Sequence, residues 1–410
     1  MILVISRSAA RGHNAHMMPS RRMQAVQAPI IPTVAEWIRQ TPGTISLGQG
    51  VVYYGPPPET DTRLSAFHAQ KDIHKYKAVQ GLPELIERLS AKLKQENGIR
   101  LTGGAEPRQV VVSAGGNMAF LNALLAIGDP GDEIILLRPA YFNHEMAVTM
   151  ANCRPVLVDT DAAYQPVVAS IRAAVTERTR AIVTVSPNNP TGAVYREDAL
   201  CEINGICRER GIYHIHDEAY EYFTYGDARH FSPCSIAGSE PYTIGLYSFS
   251  KSYGLASWRV GYSVIPERLF EAVRKIQDTN LICPPVISQY AALGALDAGH
   301  AYCLEKRREI ELMRGMLRET LREMPRYCTV PEAGGAFYFL ARIHTRLPAL
   351  AFAERLVREH HVAVIPGEAF GIQSGCHVRI GYGALPREQA GEGFERLAAG
   401  IEAICKREPA

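Results

Sequence analysis

Short apolar runs rich in β-branched residues alternate with longer segments of helical periodicity through the first two thirds of the chain. The earlier runs are at 109–114, 133–137, 155–159, 181–185 and 212–216, and a later pair is at 242–248 and 260–265. Such alternation is typical of βαβ units, in which parallel strands form one sheet covered by helices. Because only 11 residues with a glycine-containing turn separate the later pair, we expect one of its strands to run antiparallel.

The pattern changes near residue 300. A long charged helical segment, "LEKRREIELMRGMLRETLREM", is followed by the strand-like runs "GAFYFL", "VAVI" and "HVRIG", with helical segments between them. This part of the chain predicts a separate, smaller α+β domain.

The composition fits a folded protein that binds a small molecule. Of 410 residues, 47% are hydrophobic and 21% are charged, as in ordinary globular proteins. The formal net charge of +2 is too small for a dedicated nucleic-acid-binding surface. The longest apolar stretches are far shorter than the roughly 18 residues of a membrane span. We therefore expect neither a nucleic-acid partner nor a membrane partner.

The cysteines and the first segment bear on the cellular location. Nine cysteines without any CxxC pair match neither a disulfide scaffold nor a zinc ribbon, which favours a reducing, cytoplasmic location. The first 35 residues contain four arginines and no acidic residue, a bias that also fits an organelle transit peptide. An upstream extension ahead of Met17 or Met18 would give the same bias, and we prefer that interpretation.

The segment 241–266 is unusual because its 26 residues hold only two charges, Lys251 and Arg259. A lysine without an acidic neighbour in the sequence is a candidate for a desolvated amine of depressed pKa that can form a Schiff base. Arg259 and the hydroxyls of Ser248 and Ser250 together suit a phosphate group. Taken alone, the segment is also compatible with a lysine that extends to solvent.

The segment "HIHDEAY" offers two interpretations. Asp217 follows a predicted buried strand, where the ligand sites of open α/β sheets lie. His214 and His216 lie on one face of that strand and could ligate a metal, although no third ligand stands at a recognisable spacing. Two histidines of the core are the alternative.

A turn of small residues, Gly115, Gly116 and Asn117, connects a predicted strand to a predicted helix. The N–H groups at such a helix N-terminus favour a phosphate. The chain has no P-loop and no GxGxxG after a strand, so the usual signatures of nucleotide binding are missing.

Three segments, "SPNNPTG", "DEAY" and "SFSKSYGLASWRVGY", closely resemble in order and spacing the class I/II, fold type I, pyridoxal-phosphate-dependent aminotransferases. The resemblance extends from about residue 30 to the C-terminus. It implies an α/β fold with a seven-stranded, mostly parallel sheet between helices and a small α+β domain. The implied parts are an N-terminal segment of the small domain (30–58), a large cofactor-binding domain (59–300) and the small domain (301–410). We expect residues 1–29 to be a disordered extension.

The resemblance also assigns roles toward the cofactor, pyridoxal 5'-phosphate. It implies that Lys251 forms the Schiff base and moves the proton during catalysis. Asp217 corresponds to the aspartate that pairs with the pyridine nitrogen, and Asn189 and Tyr220 correspond to the groups that bond the 3′ oxygen. The residues implied to bind the phosphate are Gly115, Gly116, Asn117, Ser248, Ser250 and Arg259.

Other matches concern the ring face and a second subunit. Tyr141 corresponds to the aromatic residue that stacks on the cofactor ring, and His144 to a residue that supports Asp217. Tyr76 corresponds to the tyrosine that reaches the phosphate of the neighbouring subunit. The resemblance therefore implies a homodimer with shared active sites.

The substrate is implied to bind where the small domain faces the cofactor. Arg379 in "HVRIGYG" corresponds to the arginine that holds the α-carboxylate through a planar fork. Asn189 and the backbone of Gly50 correspond to groups near the same carboxylate.

Two features depart from the better-known subgroups. The stretch "GVVYYGPPPE" at 50–59 replaces the usual sequence near the substrate, and Asn117 stands where some enzymes for acidic substrates carry lysine. These departures put aspartate specificity in doubt, and the motifs leave the amino donor open. Tyr53 and Tyr54 could line a pocket for a larger or aromatic side chain, and we predict a substrate contact for Tyr54.

The expected reaction is a ping-pong transamination between an α-amino acid and a 2-oxo acid, the acceptor being a compound such as 2-oxoglutarate. The same cofactor and fold also support β-elimination, decarboxylation or oxygen-dependent oxidation, and motifs do not separate these outcomes. A metal-dependent hydrolase using His214, His216 and Asp217 is a third hypothesis. A regulator fused to a DNA-binding module is a fourth, but roughly 30 residues before the family match are too few for one.

Overall fold

The computed structural model describes residues 19–28 and 30–410. In these residues the strands are β1 (Ile45–Ser46), β2 (Arg108–Ser113), β3 (Glu133–Arg138), β4 (Arg154–Asp159), β5 (Thr179–Val185), β6 (Tyr213–Asp217), β7 (Thr243–Ser248), β8 (Gly261–Pro266), β9 (Cys328–Thr329), β10 (Tyr338–Ile343), β11 (Val362–Ala363), β12 (Ile365–Pro366) and β13 (Cys376–Gly381). The α-helices are α1 (Arg21–Ala25), α2 (Ile30–Gln40), α3 (Glu59–His68), α4 (Pro83–Glu96), α5 (Gly116–Ile127), α6 (Phe142–Met150), α7 (Val168–Ala174), α8 (Glu197–Arg210), α9 (Phe270–Asn280), α10 (Val286–Arg322), α11 (Ala349–His360) and α12 (Arg387–Arg407).

Seven strands form the large sheet, in the order β2-β8-β7-β6-β5-β3-β4. β8 runs antiparallel to both of its neighbours, and the remaining neighbours pair in parallel. The seven-stranded, mostly parallel sheet is thus confirmed, and so is the antiparallel strand in the later pair of runs. Each predicted strand of this sheet ends within two residues of the observed one.

Both faces of the large sheet are apolar because helices cover both. On β3, Ile134 and Leu136 pack with α5, α6 and α9, whereas Ile135 and Leu137 pack with α7 and α8 on the other face. A third cluster lies between β2, β8 and the helices α4 and α10. A doubly covered sheet explains why the strands are continuous apolar runs rather than alternating ones.

The small α+β domain is also confirmed. Its sheet has four antiparallel strands in the order β12-β13-β10-β9. The run "VAVI" is broken at Val364, so that β11 instead pairs in parallel with β1 of the N-terminal segment. Trp37 and Leu47 of that segment share one core with Phe352 and Phe394 of the C-terminal part.

Helix α10 joins the two domains and is interrupted at Gly299, whose backbone angles (φ 67°, ψ −163°) are not helical. The predicted boundary between residues 300 and 301 lies beside this interruption, and we propose that the large domain ends there. Positive φ is accessible to glycine without a steric cost, so the kink needs no other compensation.

The predicted N-terminal extension is only partly described. Arg7, Arg11 and the methionines at 17 and 18 lie outside the described residues. Residues 19–28 contain the short helix α1, packed beside α6, where we expected disorder. The segment has apolar surface to bury, because Ala28 lines a small cavity together with Phe142 and Met146.

Two further observations concern the whole described chain. Among the described residues, no helix combines the length and the apolar character needed to cross a membrane. All nine cysteines are free thiols, and Cys201 is the exposed one. The fold is therefore held together without disulfides in the described part.

Candidate active site

The predicted site residues gather at the carboxyl edge of the large sheet. β6 ends at Asp217 and β7 ends at Ser248. Because β8 is antiparallel, it starts at this same edge, where Gly261 pairs with both Ser248 and Ser113. The loop from β7 to β8 therefore lies across the sheet edge, and it carries Lys251. This edge is where open α/β sheets bind their ligands.

Lys251 extends into the cleft above the sheet. Its Nζ donates a hydrogen bond of 2.6 Å to the carbonyl oxygen of Gly50 and lies 6.0 Å from the centroid of the Tyr220 ring. The pKa of the amine is lowered to about 8, mainly by burial and then by the nearby Arg379 and Arg259, while Asp217 acts in the opposite direction. A lysine in this state supplies neutral, nucleophilic amine near neutral pH.

The Asp217 carboxylate is held by an amide and a histidine. Its Oδ1 accepts a hydrogen bond of 3.0 Å from the N–H of Ala219. Its Oδ2 lies 3.1 Å from Nε2 of the buried His144. The His144 ring packs against Phe120 at 4.0 Å and edge-on against Tyr141 at 5.1 Å between centroids. His144 thus contacts both Asp217 and Tyr141, the other two residues that the resemblance places around the cofactor ring.

The opposite end of the cleft suits an anion. Helix α5 begins at Gly116, and its N-cap Gly115 has φ 85°. Arg259 also has a positive φ, 53°, which is uncommon for a residue with a side chain. A Cβ atom on Gly115 would lie 2.5 Å from Nη2 of Arg259, so the guanidinium occupies the space of a side chain there. Ser248 and Ser250 line the same end.

These donors fit the phosphate of pyridoxal phosphate. Free N–H groups of a helix N-terminus, two hydroxyls and a guanidinium are the groups that proteins use to bind a phosphate monoester. The left-handed backbone of Arg259 is a strained state that persists where the surrounding structure requires it. The residues present therefore match the group that the resemblance implies.

Arg379 joins the two domains at the site. From β13 it donates through Nη1 to Oδ1 of Asn189 and through Nη2 to the carbonyl oxygen of Gly48, at 2.7 Å each. Its Nε is buried without a hydrogen-bond partner. Asn189 in turn donates through Nδ2 to the Tyr220 hydroxyl at 3.4 Å. A buried guanidinium with unused N–H groups is a candidate carboxylate receptor.

Tyr338, a buried residue on β10, belongs to the site although no motif in the sequence predicts it. Its hydroxyl lies 3.0 Å from the hydroxyl of Tyr220, and its ring centroid is 4.4 Å from Cζ of Arg379. A Cβ atom on Gly50 would lie 2.8 Å from the same hydroxyl. In the sequence, the apolar run "GAFYFL" marks this residue only as core. The pairing of β10 with β13 brings it to the site, and that long-range contact has no local signal.

A cleft of about 190 Å³ lies between these groups. The predicted residues that line it are Gly116, Asn117, Tyr141, Asn189, Asp217, Tyr220, Ser248, Ser250, Lys251 and Arg259. Tyr54 does not line it, because its hydroxyl donates to the carbonyl oxygens of Lys251 and Ser252, at 3.2 Å each. Tyr76 is 75% exposed and also lies outside the lining. A substrate contact for Tyr54 and a partner contact for Tyr76 stay predictions.

The histidines of β6 do not form the metal centre of the hydrolase hypothesis. His214 and His216 both hydrogen-bond the hydroxyl of Thr184, at 2.8 and 2.6 Å. Burial lowers the pKa of His214 to about 3. Asp217 is the next residue of the strand after His216, and successive strand residues point to opposite faces. The three side chains therefore do not converge.

One other group of described residues has metal-ligand spacing, namely Glu218, Glu221 and His230. The Glu221 carboxylate already accepts two hydrogen bonds from Nζ of Lys92, at 2.5 and 2.6 Å. Glu218 accepts from the Tyr247 hydroxyl at 2.7 Å and lies 2.7 Å from Nε2 of His230. These carboxylates are satisfied by the protein itself.

Comparisons with known proteins agree with this geometry. The family model for aminotransferase class I and II matches residues 42–397. A probable aspartate/prephenate aminotransferase of Aquifex aeolicus is 36% identical over 340 residues, which is 80% of this chain and 84% of that protein. The aromatic aminotransferase ISS1 of Arabidopsis thaliana is 32% identical and covers 94% of this chain and 97% of its own length.

Solved structures give the same result. A single mutant of Thermus thermophilus aspartate aminotransferase superposes with a TM-score of 0.85 at 32% identity, covering 93% of this chain and 99% of that one. The family match, the identities and the fold agree with each other and with the motifs. The chain belongs to the class I and II aminotransferase family and is a pyridoxal-phosphate-dependent aminotransferase.

Proposed function

We propose that this aminotransferase takes its amino group from an α-amino acid with a bulky, uncharged side chain and passes it to a 2-oxo acid by a ping-pong mechanism. The observation that carries the proposal is the arrangement of cations around the cleft. In the described residues, Lys251 and Arg259 are the basic side chains of the lining, and Arg379 borders it through Asn189. Each has a role other than binding a second carboxylate.

When bound, pyridoxal phosphate supplies an electron-accepting ring that stabilises negative charge at the substrate Cα. Lys251 would hold the cofactor covalently, Asp217 would face its ring nitrogen, and Arg259 with Ser248 and Ser250 would hold its phosphate. Tyr141 would lie against the ring. The described contacts of these residues support the assignment, since no large rearrangement is needed to bring them together.

Lys251 is the proposed proton carrier. Its amine reaches the carbonyl oxygen of Gly50 in the N-terminal segment, so it lies between the large domain and that segment. Because burial brings its pKa to about 8, the amine can both accept and release a proton near neutral pH. A lysine with its ordinary pKa would hold its proton too tightly to act as a base.

Arg379 is the proposed receptor of the α-carboxylate. Its contacts with Asn189 and Gly48 fix the plane of the guanidinium, and its remaining N–H groups face no protein acceptor. A fixed fork of this kind positions a carboxylate with two parallel hydrogen bonds.

Aromatic rings support the choice of substrate class. The Tyr141 ring lies 5.1 Å from that of Phe142, Phe142 lies 6.2 Å from Phe370, and Phe370 lies 5.0 Å from the Arg379 guanidinium. A row of contacting rings therefore connects Tyr141, which lines the cleft, to the carboxylate receptor, and we propose that this row forms an apolar wall beside the substrate side chain. The Arabidopsis relative is named an aromatic aminotransferase and the Aquifex relative an aspartate/prephenate aminotransferase. The wall favours donors of the aromatic kind.

We further propose that two copies of the chain form a dimer in which Tyr76 completes the partner's phosphate site. The exposed ring of Tyr76 is what supports this, because a large aromatic side chain that is 75% exposed in one copy has apolar surface left to bury. The free thiols support a reducing compartment such as the cytoplasm.

The test is the visible spectrum of the bound cofactor, recorded with single amino acids and no oxo acid. We expect phenylalanine and tyrosine to abolish the visible band at lower concentration than aspartate or glutamate, and Lys251→Ala to show no such cycle. Adding pyruvate or 2-oxoglutarate should restore the band. If aspartate acts at lower concentration than phenylalanine, the proposed substrate class is wrong. If turnover continues without any oxo acid, the proposed transamination is wrong.

Phe142→Ala tests the aromatic wall. We expect it to raise the concentration of phenylalanine that half-abolishes the band by roughly tenfold, and to leave that of alanine nearly unchanged, since removing one ring from a contact costs on the order of 1 kcal/mol. Met150→Ala, at the exposed end of the same helix, is the control. Equal effects on both amino acids would contradict a wall.

A further inference from the structure

Tyr338 occupies a position that the proposed roles of the other residues leave unexplained. It is fully buried at the start of β10, in register with Gly381 of β13. Arg379 is two residues from Gly381, so it is the diagonal neighbour of Tyr338 on the same face of the sheet. This places the ring beneath the guanidinium and the hydroxyl beside Tyr220.

The direction of the hydrogen bonds follows from the guanidinium. Arg379 can only donate, so Asn189 Oδ1 is the acceptor and the Asn189 amide nitrogen faces Tyr220. Asn189 Nδ2 then donates to the Tyr220 hydroxyl. One lone pair of that hydroxyl is thereby used, and its second close protein partner is Tyr338, at 3.0 Å.

Two arrangements of the tyrosine pair remain. If Tyr220 donates to Tyr338, the Tyr220 proton is used inside the protein and none is left for the cleft. If Tyr338 donates to Tyr220, both lone pairs of Tyr220 are occupied and its own proton must point elsewhere. Tyr220 lines the cleft, so the free direction is toward the bound ligand. The Arg379 guanidinium lies 4.4 Å from the Tyr338 ring, closer than the 6.0 Å between the Lys251 amine and the Tyr220 ring, so the Tyr338 hydroxyl is the better donor of the two.

We propose that Tyr338 is a positioning residue that donates to Tyr220, directs the Tyr220 proton into the cleft toward the cofactor's ring oxygen, and supports the Arg379 guanidinium with its ring. The proposal rests on the role proposed for Tyr220. The two functions of Tyr338 are separable, because one needs the hydroxyl and the other needs only the ring.

The experiment compares the pH titration of the visible band of the bound cofactor in wild type and variants. A donor to the ring oxygen stabilises the deprotonated chromophore, so removing it raises the midpoint of the titration. We expect Tyr220→Phe to raise the midpoint, and Tyr338→Phe to raise it by roughly half a pH unit to one unit. The double variant should titrate like Tyr220→Phe alone, because Tyr338 acts through Tyr220.

The ring is tested by substrate binding. Tyr338→Phe should leave the KM for phenylalanine within about twofold, whereas Tyr338→Leu should raise it several-fold, since only the second variant loses the surface beneath Arg379. Tyr382→Phe is the matched control. It removes a buried hydroxyl from the same domain that has no hydrogen-bond partner, and it should change neither readout.

The outcomes separate the two proposals. If Tyr220→Phe shifts the titration but Tyr338→Phe does not, or if the two shifts add in the double variant, the inference about Tyr338 is overturned while the role of Tyr220 stands. If Tyr220→Phe itself leaves the titration unchanged, the role proposed for Tyr220 fails, and the inference fails with it.

Discussion

Replacing Arg379 by lysine keeps the charge and removes the fork. The guanidinium has five N–H donors, of which one goes to Asn189 and one to Gly48. Three remain for a carboxylate. A lysine ammonium has three N–H donors on one nitrogen and a shorter side chain. If two of these donors bond Asn189 and Gly48, one donor remains for the substrate carboxylate. Arg379→Lys therefore loses one charge-assisted hydrogen bond to the substrate.

Such a bond contributes roughly 1.5 to 3 kcal/mol. Since about 1.4 kcal/mol corresponds to a factor of ten, the concentration of phenylalanine needed for half-conversion should rise roughly 10-fold to 150-fold. The assay is the loss of the cofactor's visible band at increasing amino-acid concentration. Phenethylamine, which lacks the carboxylate, serves as the matched substrate.

For phenethylamine we expect the half-conversion concentration to change less than threefold, because an amine without a carboxylate makes no hydrogen bond to Arg379. Arg342→Lys, an exposed position on the adjacent strand β10, is the control for the substitution itself. The reasoning is refuted if both substrates weaken by the same factor, or if Arg379→Lys binds phenylalanine as well as wild type does.

Three other predictions follow from single contacts. Gly115→Ala should weaken cofactor binding at least tenfold by equilibrium dialysis, because its Cβ would lie 2.5 Å from a guanidinium nitrogen, whereas Gly103→Ala, also at positive φ but with open space around it, should not. In the cofactor-free protein, the rate at which Lys251 captures pyridoxal phosphate should rise with pH and level off above about pH 9, since its pKa is lowered to about 8 and the neutral amine is the nucleophile; a rise continuing to pH 10.5 would contradict this. Lys92→Met should lower the free energy of unfolding in urea by about 3 kcal/mol, the lower end of the range for a buried ion pair, because the partly buried Glu221 carboxylate loses its cation and keeps only the amide of Asn97 as a donor, and adding Glu221→Gln should recover part of the loss.

The sequence predicted the large sheet well because its strands, apart from the partly exposed edge strand β4, are buried on both faces and are continuous apolar runs. The antiparallel β8 could be expected because too few residues precede it for a crossover helix. The break at Val364 could not be predicted, since nothing in a run of four apolar residues indicates that its two halves belong to different sheets. That division depends on where β1 lies, which is a long-range contact.

The same distinction holds at the site. Lys251, Asp217 and Asn189 stand in motifs that are continuous in sequence, so their contribution to one cleft could be predicted. Tyr338 enters the site only through strand pairing. For Tyr54, the unusual segment around it predicts a substrate contact, which stays a prediction, whereas the bond from its hydroxyl to the backbone of the lysine loop has no signal in the sequence. The sequence predicts which residues of a continuous motif lie together, but the direction of each side chain depends on the packing of the whole fold.

At Arg259, fold stability and cofactor binding have opposite requirements: the left-handed backbone lowers the stability of the fold, whereas the side chain that adopts it binds the phosphate. A residue with a Cβ in this region costs roughly 1 to 2 kcal/mol relative to its preferred conformation, and glycine would relieve that strain. Arg259→Gly should therefore weaken the hold on the phosphate without destabilising the empty fold. Selection for thermal tolerance of the cofactor-free protein would favour a glycine here, whereas selection for turnover at low cofactor supply would keep the arginine.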